Sequence, residues 1–67
     1  MKVKINGSWT EIPDSIRSVA QLAKHLNIDG KPIVIEKNAQ ILEKEAHQDE
    51  AVAHEDHFEI VTFVGGG

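Results

Sequence analysis

The sequence predicts an α+β domain in which one helix packs across a mixed sheet of four or five strands. An Asn6-Gly7 pair between two alternating runs predicts an opening hairpin. Apolar residues at helical spacing predict a single helix in the first half of the chain: Val19, Leu22, Ala23 and Leu26. An apolar run at residues 58–64 predicts a last strand. One helix of this length can cover one face of such a sheet.

The opening hairpin has a predictable register because both positions of a two-residue Asn-Gly turn favour positive φ. Ile5 then faces Ser8, and Lys4 faces Trp9. Since strand side chains alternate, the two faces separate cleanly. One carries Met1, Val3, Ile5 and Ile12, and the other carries Lys2, Lys4, Trp9 and Glu11.

The helix has recognisable ends. Ser18 followed by Gln21 fits a capping box at its start, and Asn27 can adopt the left-handed conformation that ends it. After Pro32, residues 33–37 predict a strand that buries Ile33 and Ile35. The predicted core is Val3, Ile5, Val19, Leu22, Leu26, Ile33, Ile35, Phe58 and Ile60.

The second half of the chain is less regular. Residues 38–40 predict a turn, and Ile41-Leu42 can supply only a very short strand. From residue 43 to 57 we expect an irregular crossing segment with one helical turn at most, anchored by Ala51 and Val52. The domain should span residues 1–64, and residues 65–67 should form a flexible tail.

Size and composition exclude several classes of function. Sixty-seven residues make one small domain with little room for a deep substrate cavity, so an independent enzyme is not expected. The chain lacks cysteine, which removes disulfides, thiolate metal sites and a thiol nucleophile. We expect a cytoplasmic protein, because the N-terminus has neither a signal peptide nor a membrane span. A net charge of −4 argues against nucleic acid as a partner.

Charged and ionisable residues concentrate in the second half. Seven acids lie between residues 43 and 59, and only Lys44 opposes them there. This stretch is either a solvated face or a surface that steers the domain onto a basic partner. Of the four histidines, His54 and His57 lie closest together and should be solvent-exposed; we expect no metal site, since zinc needs about four convergent ligands. His25 should lie near the helix end, where a cation favours the dipole.

The chain ends in Gly65-Gly66-Gly67, directly after the last predicted strand. Three residues reach about 10 Å, so such an end can present its α-carboxylate on a stalk without side chains. The alternative is an end without a function, since chain termini are usually disordered.

These features together resemble the ubiquitin-like β-grasp sulfur carriers, and most closely the ThiS family of thiamine biosynthesis. Three segments carry the likeness: Ile5-Asn6-Gly7, the run from Ile33 to Asn38, and the run from Asp56 to Gly67. The likeness spans essentially the whole chain, and the last segment is the most specific. Family members often have Gly-Asp before the final strand, where this chain has Glu55-Asp56.

The resemblance implies a carrier with no catalytic residues and no bound cofactor. A ThiF-type adenylating enzyme would use ATP to activate the carboxylate of Gly67. A sulfur donor such as a cysteine desulfurase would then convert it to a thiocarboxylate, which a ThiG-type thiazole synthase consumes. Three alternatives stay open: a ubiquitin-like modifier, a carrier of the molybdopterin-synthase type, and a regulatory β-grasp module whose glycines have no function.

The hairpin register turns Trp9 away from the predicted core. Alternation places Val34, Val61 and Phe63 on the same side of the sheet, which predicts a partly exposed apolar patch. Such patches mark partner surfaces, and ubiquitin-like proteins commonly bind through this open face. The alternative is that Trp9 covers the stems of Lys2 and Lys4 while Val61 and Phe63 are buried.

Overall fold

The computed structural model of the protein describes residues 1–63 and confirms the predicted α+β class. In chain order the elements are β1 (Lys2–Ile5), β2 (Ser8–Glu11), α1 (Val19–His25), β3 (Ile33–Lys37), β4 (Gln40–Leu42), a short 3-10 helix (Lys44–Ala46) and β5 (His57–Thr62). The five strands form one sheet in the order β2-β1-β5-β3-β4. The β1–β5 pair is parallel, and the other pairs are antiparallel.

Two tight turns build the two hairpins. Asn6 and Gly7 have φ values of 49° and 84°, so the β1–β2 turn has the expected positive-φ geometry. The predicted register is confirmed, because Ile5 pairs with Ser8. The β3–β4 turn has the same geometry, with Asn38 at 49° and Ala39 at 73°.

Helix α1 begins with the predicted capping box. The Gln21 N–H donates to Ser18 Oγ at 3.2 Å, while the Ser18 N–H donates to Gln21 Oε1 at 3.2 Å. The helix ends at His25, and Asn27 beyond it has the expected positive φ of 60°. His25 lies in the last turn, as expected.

The core lies between α1 and the covered face of the sheet. Its buried members are Val3, Ile12, Ile16, Val19, Leu22, Ile35, Val52 and Phe58. The other predicted core residues, Ile5, Leu26, Ile33 and Ile60, pack against this cluster while partly exposed. The predicted core list omitted Ile12, Ile16 and Val52, although Ile12 was expected on the covered face.

The segment between β4 and β5 crosses beside the helix, held by backbone hydrogen bonds. The Val19 N–H donates to the Glu50 carbonyl at 2.9 Å, and the Ala20 N–H donates to the His47 carbonyl at 2.8 Å. Ala51 anchors the segment through a backbone bridge to Ser18, but its side chain is exposed and contributes nothing to the core.

His54 and His57 are exposed, as expected, whereas His47 is only 8% exposed because the crossing segment folds its side chain inward. Strand β5 begins at His57, one residue before the predicted start, because His57 already pairs with Lys4. The strand ends at Thr62, so the prediction that it includes Phe63 was wrong. Val64 and the tail at residues 65–67 lie outside the described residues. No helix within residues 1–63 has the length and apolar character needed to cross a membrane.

Candidate functional site

The strand that leads to the glycines occupies the centre of the sheet. β5 runs between β1 and β3, and it pairs with β3 over five positions, from Ile33↔Thr62 to Lys37↔Phe58. On the β1 side, the Lys4 N–H donates to the Asp56 carbonyl at 2.9 Å. The domain therefore holds the first half of β5 from both sides, and β3 follows the strand to its end.

Beyond the end of β1, the side chain of Asn6 continues the support of β5. Its Nδ2 donates to the Ile60 carbonyl at 3.0 Å, and its Oδ1 accepts from the Ile60 N–H at 2.7 Å. On the opposite side, the Phe63 N–H donates to the Pro32 carbonyl at 3.0 Å. Backbone hydrogen bonding thus reaches Phe63, four positions before Gly67. The predicted attachment residue Gly67 and the predicted tail residues Gly65 and Gly66 lie outside the described part of the chain.

An exposed apolar surface lies beside this strand end, on the face of the sheet away from the helix. Val34 and Val61 pair across β3 and β5 and are 37% and 53% exposed. Phe63, two residues further on, is 54% exposed. Alternation explains the placement, because Phe58 points to the opposite side and is buried. Val61 and Phe63 are therefore not core residues.

Trp9 lies on edge strand β2 of the same face and is 48% exposed. The ammonium groups of Lys2 and Lys4 lie 5.3 and 5.6 Å from its ring centroid, within cation–π range. The His57 ring meets it edge-on, with the centroids 5.5 Å apart. Both predicted features are thus present: the lysines lie against the indole, and about half of the ring stays open. We name Trp9, Val34, Val61 and Phe63 the open-face patch.

Sequence reasoning missed Ile41, whose side chain is 67% exposed. It pairs with Glu36 across β3 and β4, and Glu36 pairs with Glu59 across β3 and β5. Paired residues share a face, so Ile41 belongs to the open face together with two carboxylates. Side chains alternate along a strand, and Leu42 packs against the core, so its neighbour Ile41 must point to the opposite face. This alternation could have predicted the exposure of Ile41.

The turn before β5 is tight although it lacks the glycine common in the family. Glu55 takes the left-handed conformation itself, with φ of 70°. Asp56 closes the turn: its Oδ2 accepts from the Ala53 N–H at 2.8 Å, and its N–H donates to the Ala53 carbonyl at 3.1 Å. The Glu55 N–H donates to the Lys2 carbonyl at 2.6 Å, which ties the turn to β1.

The ionisable groups near this end of the sheet form structural contacts. His54 Nδ1 accepts from the Lys2 N–H at 3.1 Å. Within residues 1–63, no three His, Asp or Glu side chains cluster closely enough to hold a metal ion. The α-amine of Met1 lies 2.6 Å from Asp14 Oδ1, and this hydrogen bond raises the pKa of the amine and lowers the pKa of the Asp14 carboxyl.

Known proteins resemble the chain over its full length. Its sequence matches the ThiS family over residues 3–67. The crystal structure of a thiamine biosynthesis protein (ThiS) from Geobacter metallireducens has a TM-score of 0.83 and 28% identity, with both chains covered completely. An NMR solution structure of a thiamine biosynthesis protein from the same organism has the same score and identity, and 88% of it is covered.

A curated relative gives a further comparison. A protein named thiazole synthase from Paramagnetospirillum magneticum is 36% identical over all 67 residues. The chain spans only 20% of that relative's length. The family match covers almost the entire sequence, and the shared fold covers all of it. The chain therefore belongs to the ThiS family, the sulfur carrier proteins of thiamine biosynthesis.

Proposed function

We propose that the carboxylate of Gly67 carries the sulfur as a thiocarboxylate. A carboxylate is ionised at neutral pH, since its pKa is near 3.5, and it is a poor electrophile. A ThiF-type enzyme would join it to the AMP moiety of ATP, releasing pyrophosphate. The terminal sulfur of a persulfide on a donor such as a cysteine desulfurase would then attack the acyl carbon and displace AMP, and a thiol would reduce the resulting acyl disulfide to –COS⁻. The chain itself supplies no catalytic group.

The observation that carries this proposal is the position of β5. The strand that precedes Gly65-Gly66-Gly67 is held from both sides as far as Ile60, by β1 and Asn6 on one side and by β3 on the other. From there the β3 side alone continues the support, as far as Phe63. A partner that docks on the domain therefore meets the base of the glycine segment at a defined place. Glycines beyond that base can pass a narrow channel, because they lack a Cβ.

We assign the docking of these partners to the open-face patch. Its side chains are apolar and exposed; Val61 lies on β5, and Phe63 directly follows that strand on the way to the glycines. A partner that covers the patch thus also covers the point from which the glycines leave. Exposed aromatic anchors commonly dominate binding energy, so Trp9 and Phe63 should contribute most.

We propose a ThiG-type thiazole synthase as the acceptor of the sulfur. The support is the relative named thiazole synthase, which contains a stretch resembling this whole chain. When a carrier and its acceptor enzyme are parts of one polypeptide, the linkage keeps them close together, as the transfer of sulfur between them requires. In that scheme the carbon–sulfur bond of the thiocarboxylate breaks and the sulfur enters the thiazole ring, while an oxygen from the acceptor's substrate or from water takes its place and Gly67 returns to a carboxylate.

Intact-mass spectrometry tests the proposal. The chain is incubated with a cognate adenylating enzyme, ATP and a sulfur donor, and its C-terminal peptide is then sequenced. We expect one oxygen of Gly67 to be replaced by sulfur. A variant lacking Gly66-Gly67 is the control and should stay unmodified. Sulfur at another residue, or an unchanged mass with competent partners, would contradict the proposal.

The same experiment distinguishes the alternative functions once each candidate acceptor enzyme is added to the loaded chain. A ubiquitin-like modifier would appear as Gly67 joined to lysine side chains through an isopeptide bond. A regulatory module would keep its regulatory function after the loss of Gly66-Gly67, because its glycines would have no role. A carrier of the molybdopterin-synthase type would load sulfur but would pass it to molybdopterin synthase and not to thiazole synthase.

A further inference from the structure

All five large hydrophobic side chains that are well exposed within residues 1–63 lie on one face of the sheet. Four of them form the open-face patch. The fifth is Ile41 on β4, which is the most exposed of the five at 67%. Single exposed apolar residues are ordinary, but their concentration on one face marks an interaction surface. That surface therefore extends beyond the open-face patch to β4.

A row of paired residues connects Ile41 to β5. Ile41 pairs with Glu36, and Glu36 pairs with Glu59. Residues paired across strands have Cβ atoms about 4.5–5.5 Å apart, so the two glutamates are close neighbours. Val34 and Val61, the next pair on the same face of β3 and β5, lie beside them. The surface is thus continuous from the open-face patch to Ile41, and it includes two acids.

Within residues 1–63, neither glutamate of this row forms an ion pair. Lys2 and Lys4 belong to the same face, but their ammonium groups lie 5.3 and 5.6 Å from the centre of the Trp9 ring and bind no carboxylate of the row. Like charges at directly paired positions destabilise a sheet. A cation supplied by a partner would remove this repulsion, and its binding would be more favourable for that reason.

We propose that the adenylating enzyme covers the open face as far as Ile41 and places an arginine between Glu36 and Glu59. This inference rests on the proposed function, because that enzyme acts on the carboxylate of Gly67. An enzyme that joins a carboxylate to ATP holds two anionic substrates, so positive charge surrounds its site, and a carrier with a net charge of −4 is attracted to it. A guanidinium fits the position better than an ammonium, because its planar fork can donate to two carboxylates at once.

Binding titrations of the full chain with the adenylating enzyme, and the KM for the chain in sulfur loading, test the proposal. Ile41→Thr should weaken binding and raise KM about fivefold without changing kcat. Its fold should be unaffected, since residue 41 is exposed and threonine suits a strand. Glu59→Gln should raise KM about two- to fivefold, and the increase should shrink at high salt. Its melting temperature should not fall, because the substitution removes a repulsion.

Glu45→Gln is the matched control, because it removes the same charge from an exposed residue of the 3-10 helix, outside the sheet, and it should leave KM unchanged. Equal increases in KM for Glu45→Gln and Glu59→Gln would show a general effect of net charge and overturn the charge assignment. An unchanged affinity of Ile41→Thr would exclude β4 from the contact.

The loading reaction of the original chain separates this inference from the proposed function. If the original chain takes up no sulfur, the proposed function is wrong, and the binding titrations still show whether the enzyme contacts Ile41 and Glu59. If the variants bind and load normally but pass sulfur to thiazole synthase more slowly, the surface belongs to the acceptor, and the assignment to the adenylating enzyme is overturned.

Discussion

The side chain of Asn6 takes the place of a missing strand residue beside Ile60. It donates to the Ile60 carbonyl at 3.0 Å and accepts from the Ile60 N–H at 2.7 Å. β1 turns away at this point, so without Asn6 the backbone of Ile60 would lose its partner on that side. The residue that forms the first hairpin turn therefore also fixes the strand that leads to the glycines.

We expect Asn6→Gly to lower the free energy of unfolding by about 1–2 kcal/mol, because two hydrogen bonds are lost while the positive φ is kept. Asn6→Ala should cost more, since alanine also resists that φ. Urea denaturation measures both variants. A glycine variant as stable as the original chain would show that the two bonds contribute nothing.

Glu55→Gly should stabilise the domain by up to about 1 kcal/mol. Glu55 has φ of 70°, which costs an L-residue roughly 1–2 kcal/mol, and glycine removes this strain at some expense in unfolded-state entropy. Glu55→Ala is the control, because it removes the charge and keeps the strain. If both variants gain the same stability in thermal unfolding, charge repulsion is the cause and the strain argument is wrong.

Phe58 lies in β5 and Phe63 directly follows that strand, and replacing them should change stability by different amounts. Phe58 is 1% exposed, so Phe58→Ala should cost about 3–5 kcal/mol. Phe63 is 54% exposed, and Phe63→Ala should cost much less while weakening the binding of an adenylating enzyme. Calorimetry and a binding titration measure the two properties. A similar drop in melting temperature for both would contradict the placement of Phe63.

The ion pair between the Met1 amine and Asp14 should make stability depend on pH. The pKa of the amine is raised from its ordinary 8.0. Its contribution to the stability of the fold is therefore complete below pH 8 and disappears as pH rises through the raised pKa. The pKa of Asp14 is lowered from 3.8, so its contribution is complete above that pH and disappears in stronger acid.

Asp14→Asn should therefore lower the melting temperature at pH 6 and have a smaller effect at pH 10. Asp49→Asn is the control, because the exposed Asp49 forms no ion pair within residues 1–63. Thermal unfolding across this pH range gives the comparison. If the difference in melting temperature between Asp14→Asn and the original chain is the same at both pH values, the Met1 amine is not the group that stabilises the ionised Asp14.

Gly66→Ala tests the requirement for a stalk without side chains. If the glycines thread a narrow channel, a Cβ at residue 66 collides with its walls, and sulfur loading should slow strongly. The melting temperature should stay the same. Single-turnover loading followed by mass spectrometry provides the rate, and an unchanged rate would show that the channel tolerates a methyl group.

The sequence predicted the parts of the fold that have a strong local signal. Asn6-Gly7 determined the first register, and Ser18 with Gln21 determined the start of the helix. Alternation along β5 gave the exposed positions of Val61 and Phe63.

The remaining features have no local signal. Ile16 and His47 are buried from irregular segments, where no periodicity marks the inward positions. Ala39 and Glu55 adopt positive φ, a conformation that sequence analysis normally predicts only where glycine is present. The open face combines side chains from five strands, and only the folded chain brings them together.

The central position of β5 has a mechanical consequence. A partner that draws the glycines into a channel pulls along the axis of β5, where hydrogen bonds to β1 and β3 run across the direction of the force. Bonds on both sides then share the load in shear, and they do not open one after another as they would if an edge strand were peeled away. We therefore expect the domain to resist pulling on its C-terminal strand better than a domain whose last strand lies at the edge of its sheet.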